Sequence, residues 1–378
     1  PRINARAPAP NDPAPLVALA AGDASLVPNA TRRLEATLRR LELDAKKSRP
    51  RLDVYELFRE DMLPAVSQWW AKPIGLHDEK VSAAHDGEQL GNFLLDANRR
   101  QRTATWSAQR WHRRIPKHMH FIWTGGKEEL DRFEAELPLT NKRKHFNHWR
   151  QTCLDLHPEP EWRHTLWDLD SMRQLVKDEY PWVLSQYDAI DLDIKRTDLA
   201  RLLILIHHGG VYVDIDFECL RPFDAELIEQ DKYQIILSEH RTNLMPDDGG
   251  IGQRLRGREL PNAFMASIPR HPMFWVMAVE ILRRDRLNPG GYVTHITGPH
   301  VFSEIVFGFL DGFPHVTTVH ILPIRVLFPV YCLDKDEMKM DAHCVRDGNC
   351  KEVYPQSLAV HHYAASWYEA VMARMKGT

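Results

Sequence analysis

The chain has neither a Gly-x-Gly-x-x-Gly nor a Gly-x-x-x-x-Gly-Lys loop, which counts against a dinucleotide oxidoreductase and a P-loop phosphotransferase. No apolar run approaches the ~18 residues a membrane-spanning helix needs. Cysteine is scarce and odd in number, at five, so a disulfide scaffold is excluded. A net charge of −3 argues against nucleic-acid binding by bulk electrostatics. What remains is an ordinary globular composition, 43% hydrophobic and 27% charged over 378 residues. That length suits one large domain with an extension, or two domains.

The N-terminal third reads differently from the rest. Residues 1–28 are rich in Ala and Pro without sustained periodicity and are expected to form a loose arm. Residues 29–114 read as a helical region. Its first helix, Asn29 to Lys47, sets Leu34, Leu38, Leu41 and Ala45 on one face and Arg32, Arg33, Arg39, Arg40, Lys46 and Lys47 around the others. Further helices are expected over Val54–Trp70 and Gly87–Arg114. The basic helix suits a peripheral contact with an anionic membrane; packing of its leucines on the main domain is the plainer alternative.

The richest stretch runs from Lys195 to Pro222. A helix over Asp198–His208, with Thr197 as N-cap, leads to Gly209-Gly210 and an apolar strand ending in Asp214 and Asp216. Side chains two apart on a strand share a face, so both carboxylates can address one site, with Tyr212 alongside. Hard oxygen ligands at the end of such a strand suit Mn²⁺ or Mg²⁺ on a diphosphate. Asp-x-Asp occurs four times here, against roughly one expected by chance from average composition. Only this instance follows a helix, a double glycine and an apolar strand. The pair Asp168/Asp170, after a strand-like Arg163–Trp167, reads as capping or solvated.

Arg196-x-Asp198-x-x-Arg201, followed by His208-Gly-Gly-x-Tyr-x-Asp-x-Asp216, resembles the sugar-nucleotide-binding region of the DXD glycosyltransferases. The relatives are the family 32 enzymes and the catalytic domains of the large clostridial glucosylating toxins. His118-Met-His-Phe-Ile-Trp-Thr-Gly-Gly126 resembles their first strand, and His361-His-Tyr-Ala-Ala-Ser-Trp367 their C-terminal element.

The resemblance implies a GT-A fold, an α/β nucleotide-diphospho-sugar transferase domain over residues 115–378. It implies a hexosyltransferase that retains anomeric configuration; the sequence offers no carboxylate placed as a covalent nucleophile, so departure and attack on one face of the sugar are expected. It gives Ile122, Trp123, Tyr212, Asp214, Ser366 and Trp367 to the donor nucleotide-sugar, Asn262 to the sugar or the acceptor, and Asp198 and Arg201 to the sugar hydroxyls and phosphate. It gives Asp214, Asp216 and His361 to the metal, with His362 as the alternative histidine. Its first strand favours UDP-glucose or UDP-N-acetylglucosamine, with GDP-mannose as the alternative. The acceptor, whether glycan, protein or lipid, is not readable. The chain opens at Pro1, so the parent protein is expected to be either a secreted effector or a trimmed exported or luminal enzyme.

Other segments carry weaker signals. Thr297-Gly298-Pro299 should open a helix toward Phe309, and the polar stretch Ser238–Arg258 suits a loop over the site. Cys332, His343, Cys344 and Cys350 cluster near the C-terminus. Their types allow zinc but their spacing matches no common zinc pattern, leaving free thiols or a Cys344–Cys350 bridge. Two other classes use paired aspartates or retain them: a metal-dependent phosphodiesterase or nucleotidyltransferase, and a silent sugar-nucleotide-binding relative.

Overall fold

The structure is a computed structural model that describes residues 36, 114–135, 145–181, 183–228, 233–241, 258–269, 271–312, 319–330, 344 and 349–364. The expected N-terminal arm and helices, the polar 242–257 stretch, Cys332, His343, Ser366 and Trp367 lie outside the described residues.

Strand β1 (His118–Ile122) leads through α1 (Gly126–Ala135) and α2 (Phe146–Leu156) to β2 (Arg163–Trp167). After α3 (Leu169–Glu179) and α4 (Leu184–Ala189) comes the long α5 (Asp193–His208), which feeds β3 (Gly210–Val213) and β4 (Phe217–Cys219). Strands β5 (Ile235–Ser238), β6 (His240–Arg241), β7 (Arg258–Glu259) and β8 (Phe264–Ser267) precede three helices. These are α6 (Pro272–Leu287), α7 (Val293–Ile296) and α8 (Pro299–Gly312). Strand β9 (Val319–Leu322), the short α9 (Ile324–Leu327) and α10 (Cys350–Val353), and β10 (Ala359–His361) complete the order.

Six strands form the central sheet in the order β2-β1-β3-β8-β5-β9. It is parallel except for β8, which runs antiparallel to both β3 and β5. Strand β10 pairs antiparallel with β4 in a separate ladder that sets His361 opposite Phe217. The α/β class expected from sequence is therefore what the chain adopts. Met119, Phe121, Val211, Val213, Ile236 and Phe264 fill one side of the sheet with Phe217, Phe223 and Phe328. Phe and β-branched residues suit such doubly covered strands.

Helix α5 is buried along almost its whole length, as its continuous apolar run Leu202–Ile206 requires. It begins at Asp193, five residues before the expected start, with Leu192 as N-cap; Thr197 is a buried interior residue. The displaced start is explained by Lys195. Its buried ammonium bonds Asp191 Oδ1 at 3.1 Å, Asp285 Oδ1 at 2.8 Å and the Pro289 carbonyl, so the first turn is tied to α6 before Thr197 is reached. The helix stops at Gly209 (φ 63°) and Gly210 (φ 92°), a region open to glycine. A Cβ on Gly210 would lie 2.2 Å from the His118 carbonyl oxygen. The double glycine thus lets β3 lie against β1. Asp168, as expected, caps α3, its carboxylate accepting from the Ser171 N–H at 2.8 Å.

Where α5 meets the sheet, His118, His120 and His208 pack ring to ring, with centroids 3.9–5.7 Å apart. His120 donates from Nε2 to the Gly209 carbonyl at 2.9 Å and accepts at Nδ1 from Trp167 Nε1 at 3.2 Å. Those bonds require a neutral ring. Burial, reinforced by neighbouring imidazoles, pushes His118 and His208 down to about 3. The unfolded chain takes up these protons below pH ~6.5, whereas the folded chain refuses them. Their contribution is complete above pH 6.5 and is lost as pH falls toward 3. At pH 5 each imidazole forfeits about 2 kcal/mol. Urea unfolding at pH 7 and pH 5 should show the native chain losing about 2 kcal/mol more than His208→Asn. Equal losses would contradict this account.

Candidate active site

The site is built at one edge of the sheet. Strands β1 and β3 are parallel neighbours, so Trp123, just after β1, and Asp214, just after β3, leave the sheet at the same edge. Helix α5 runs back against β3, which brings Asp198 and Arg201, near its start, to that edge too.

Arg201 is the hub. Its Nη2 lies 3.0 Å from Asp198 Oδ1 and its Nη1 3.3 Å from Asp214 Oδ1, and Nη1 donates to the Asn262 carbonyl at 2.8 Å. The guanidinium carbon sits 4.8 Å from the Tyr212 ring centroid, a cation–π distance. Burial opposes this charge, but Tyr212, Asp214 and Asp198 outweigh it and raise the guanidinium above its usual range. Arg201 Nε is buried with no hydrogen-bond partner.

Asp198 is nearly saturated. Oδ1 accepts from Asn262 Nδ2 at 2.9 Å, and Oδ2 from Thr297 Oγ1 at 2.5 Å. Burial pushes this carboxyl up to about 6, with Arg201 and the Thr297 hydroxyl pulling the other way. Asn262 thus meets Asp198 and Arg201 in one hydrogen-bonded network. Thr297 joins the same network, whereas the sequence singled out Thr297-Gly298-Pro299 only as the opening of a helix. The helix α8 that follows does open at Pro299.

The paired aspartates face one another with His361. Ligand-capable atoms of Asp214, Asp216 and His361 all lie within 4.8 Å of one another. Tyr212 donates its hydroxyl to Asp214 Oδ1 at 2.6 Å, so the expected alternation holds. Asp216 accepts from His361 Nε2 at 3.1 Å and from the Ala364 N–H at 2.9 Å. Burial, with Asp216 adding to it, raises Asp214; the same burial acts on Asp216, but His361 and the Ala364 N–H overcome it and hold Asp216 down. With Nε2 donating to Asp216, His361 Nδ1 keeps a bare lone pair, buried and unpartnered. Two carboxylates and an imidazole, with ligand-capable atoms within 4.8 Å of one another, are a donor set that fits a divalent cation of the Mn²⁺ type.

His362, the alternative, turns elsewhere: its Nε2 donates to Glu218 at 3.0 Å and its ring stacks on Trp149. Ile122 is buried, and Trp123 is half-buried with its ring 5.1 Å from Phe146.

The site is thus a mostly parallel α/β sheet with paired aspartates and a buried arginine at its edge. Residues 143–234 match the family described as the glycosyltransferase sugar-binding region containing a DXD motif, so this part of the chain is similar to the DXD glycosyltransferases. The matched region holds Asp198, Arg201, Tyr212, Asp214 and Asp216. Over 164 residues the chain is 32% identical to the mannosyl phosphorylinositol ceramide synthase SUR1 of Saccharomyces cerevisiae, covering 43% of this chain and 37% of that protein. It is 34% identical over 152 residues to inositol phosphoceramide mannosyltransferase 2 of Schizosaccharomyces pombe, covering 40% and 38%. The chain therefore spans well under half the length of these relatives. Among solved structures, the catalytic domain of alpha-toxin from Clostridium novyi aligns at a TM-score of 0.34 and 10% identity, covering 90% of this chain and 96% of that one.

Removing Asp198 takes the nearer of two carboxylates from a buried guanidinium, whereas removing the Thr297 hydroxyl deletes one hydrogen bond. Asp198→Ala should lower unfolding free energy by about 3 kcal/mol and Thr297→Val by about 1 kcal/mol, measured by urea denaturation. Equal losses would remove Arg201 from the centre of the network.

Proposed function

We propose that this domain transfers a mannosyl group from GDP-mannose, using Mn²⁺ or Mg²⁺ held by Asp214, Asp216 and His361. The observation that carries the proposal is the meeting of those ligand atoms within 4.8 Å, beside the Asp198–Arg201 pair. The names of the relatives matched across this region support mannose over the UDP-glucose or UDP-N-acetylglucosamine favoured by the first strand. They also support a lipid acceptor of the inositol phosphoceramide kind.

Held by Asp214, Asp216 and His361, a divalent cation would supply charge neutralisation for the departing diphosphate. The chain's own residues do the rest. Arg201 brings a fixed positive charge to the donor oxygens, and Asp198 keeps acceptor capacity on Oδ2, beside its bond to Thr297, for a sugar hydroxyl. Tyr212 holds Asp214 in place through its hydroxyl. Trp123 offers an indole face to the base, with Ser366 and Trp367 assigned to the phosphates. The family resemblance supports retention, and the lack in the sequence of a carboxylate placed as a covalent nucleophile supports departure and attack on one face; a glycosyl-enzyme adduct trapped by mass spectrometry would overturn the latter.

Nucleotide release with Mn²⁺ should be measured for GDP-mannose, UDP-glucose and UDP-N-acetylglucosamine, with inositol phosphoceramide as acceptor. The expected result is GDP release from GDP-mannose, at least about 100-fold lower in Asp214→Ala/Asp216→Ala. His361→Ala should weaken Mn²⁺ binding more than His362→Ala. Release of a nucleoside monophosphate would instead indicate the phosphodiesterase class, and UDP release would return the donor to the UDP-sugars.

A further inference from the structure

A second set of metal-ligating side chains lies outside the catalytic constellation. Ligand-capable atoms of Glu218, Cys350 and His362 also sit within 4.8 Å of one another. They come from β4, from α10 and from the residue after β10; the sheet pairing of β4 with β10 sets Glu218 beside His362, and Cys350 packs against the same ladder through Leu220 and Val360. Cys344 is bonded to Cys350 in a disulfide, which brings a second sulfur to the same place. Both cysteines are buried against Leu220, Val330 and Val360. His362 is fixed twice over, by its bond to Glu218 at 3.0 Å and by stacking on Trp149 at 4.1 Å and 15°.

The donor chemistry differs from that of the catalytic group. Asp214, Asp216 and His361 offer oxygen and nitrogen, whereas this set offers sulfur, nitrogen and oxygen. Thiolate and imidazole select zinc-like ions in tetrahedral geometry, and carboxylate completes such a shell. In the disulfide form the sulfurs are bonded to each other and the site is closed.

We propose that Glu218, Cys344, Cys350 and His362 form a second metal site, open when Cys344–Cys350 is reduced, that takes a thiophilic divalent cation such as Zn²⁺. The opening step balances with a dithiol as reductant. One thiolate of the dithiol attacks a disulfide sulfur, the second resolves the mixed disulfide, and the dithiol leaves oxidised. Two electrons and two protons pass to Cys344 and Cys350. Cation binding then displaces the two thiol protons to solvent.

Cobalt(II) is the probe, because thiolate ligation gives a near-ultraviolet charge-transfer band that oxygen and nitrogen ligands do not. The chain is compared in its disulfide form and after dithiol reduction with the dithiol removed. Reduction should create the band, Zn²⁺ should abolish it, and Asp214→Ala/Asp216→Ala should leave it intact. Cys350→Ser and His362→Gln should lose it, while Cys153→Ser keeps it, circular dichroism confirming that each variant is folded. Should those variants misfold, the reduced wild-type chain with and without iodoacetamide alkylation decides alone. No band in the reduced chain, or a band that survives in folded Cys350→Ser, overturns the proposal. Nucleotide release is not part of this test, so its outcome is independent of the transferase activity.

Discussion

A buried positive charge organises this domain. Arg201 lies inside the protein, where an uncompensated guanidinium is costly, so the fold must bring carboxylates to it. It brings Asp198 from the same helix and Asp214 from the strand that follows. That requirement fixes the angle at which α5 returns on β3. The Gly209-Gly210 corner makes the angle attainable, since any side chain at Gly210 would strike the His118 carbonyl. Asn262 and Thr297 then close over Asp198 from two further segments, so one ion pair draws four parts of the chain to one edge of the sheet.

The second carboxylate is governed differently. Asp216 answers to β10 rather than to α5, through His361 and the Ala364 N–H. The paired aspartates thus report to two structural regions, one through arginine and one through histidine. A cation bound between them would join those regions, which is a physical reason for a metal site to sit there. The same pairing of β4 with β10 sets up Glu218 and His362 one step along, and the two ligand sets share a scaffold without sharing a residue.

Much of this was legible from the residues. Strand alternation placed Tyr212 with Asp214, the double glycine marked the helix end, Arg163–Trp167 formed a strand, and Asp168 capped a helix. The start of α5 was not legible, because Leu192 caps it without a side-chain bond and the stabilising partners of Lys195 include Asp285 and Pro289, far along the chain. Thr297 read only as the opening of a helix because nothing local shows that its hydroxyl reaches Asp198. The bond between Cys153 and Cys219, separated by 66 residues, was hidden for the same reason. Local chemistry reads well from sequence; long-range partners of buried charges and sulfurs do not.

The central claim is that Asp214, Asp216 and His361 bind a cation that a nucleoside diphosphate then shares. Calorimetric titration of Mn²⁺ into the chain, with and without GDP, tests it directly. The account predicts one Mn²⁺ per chain, tighter binding when GDP is present, and loss of both in Asp214→Ala/Asp216→Ala. Mn²⁺ binding that is unchanged in that variant, or indifferent to GDP, would contradict it.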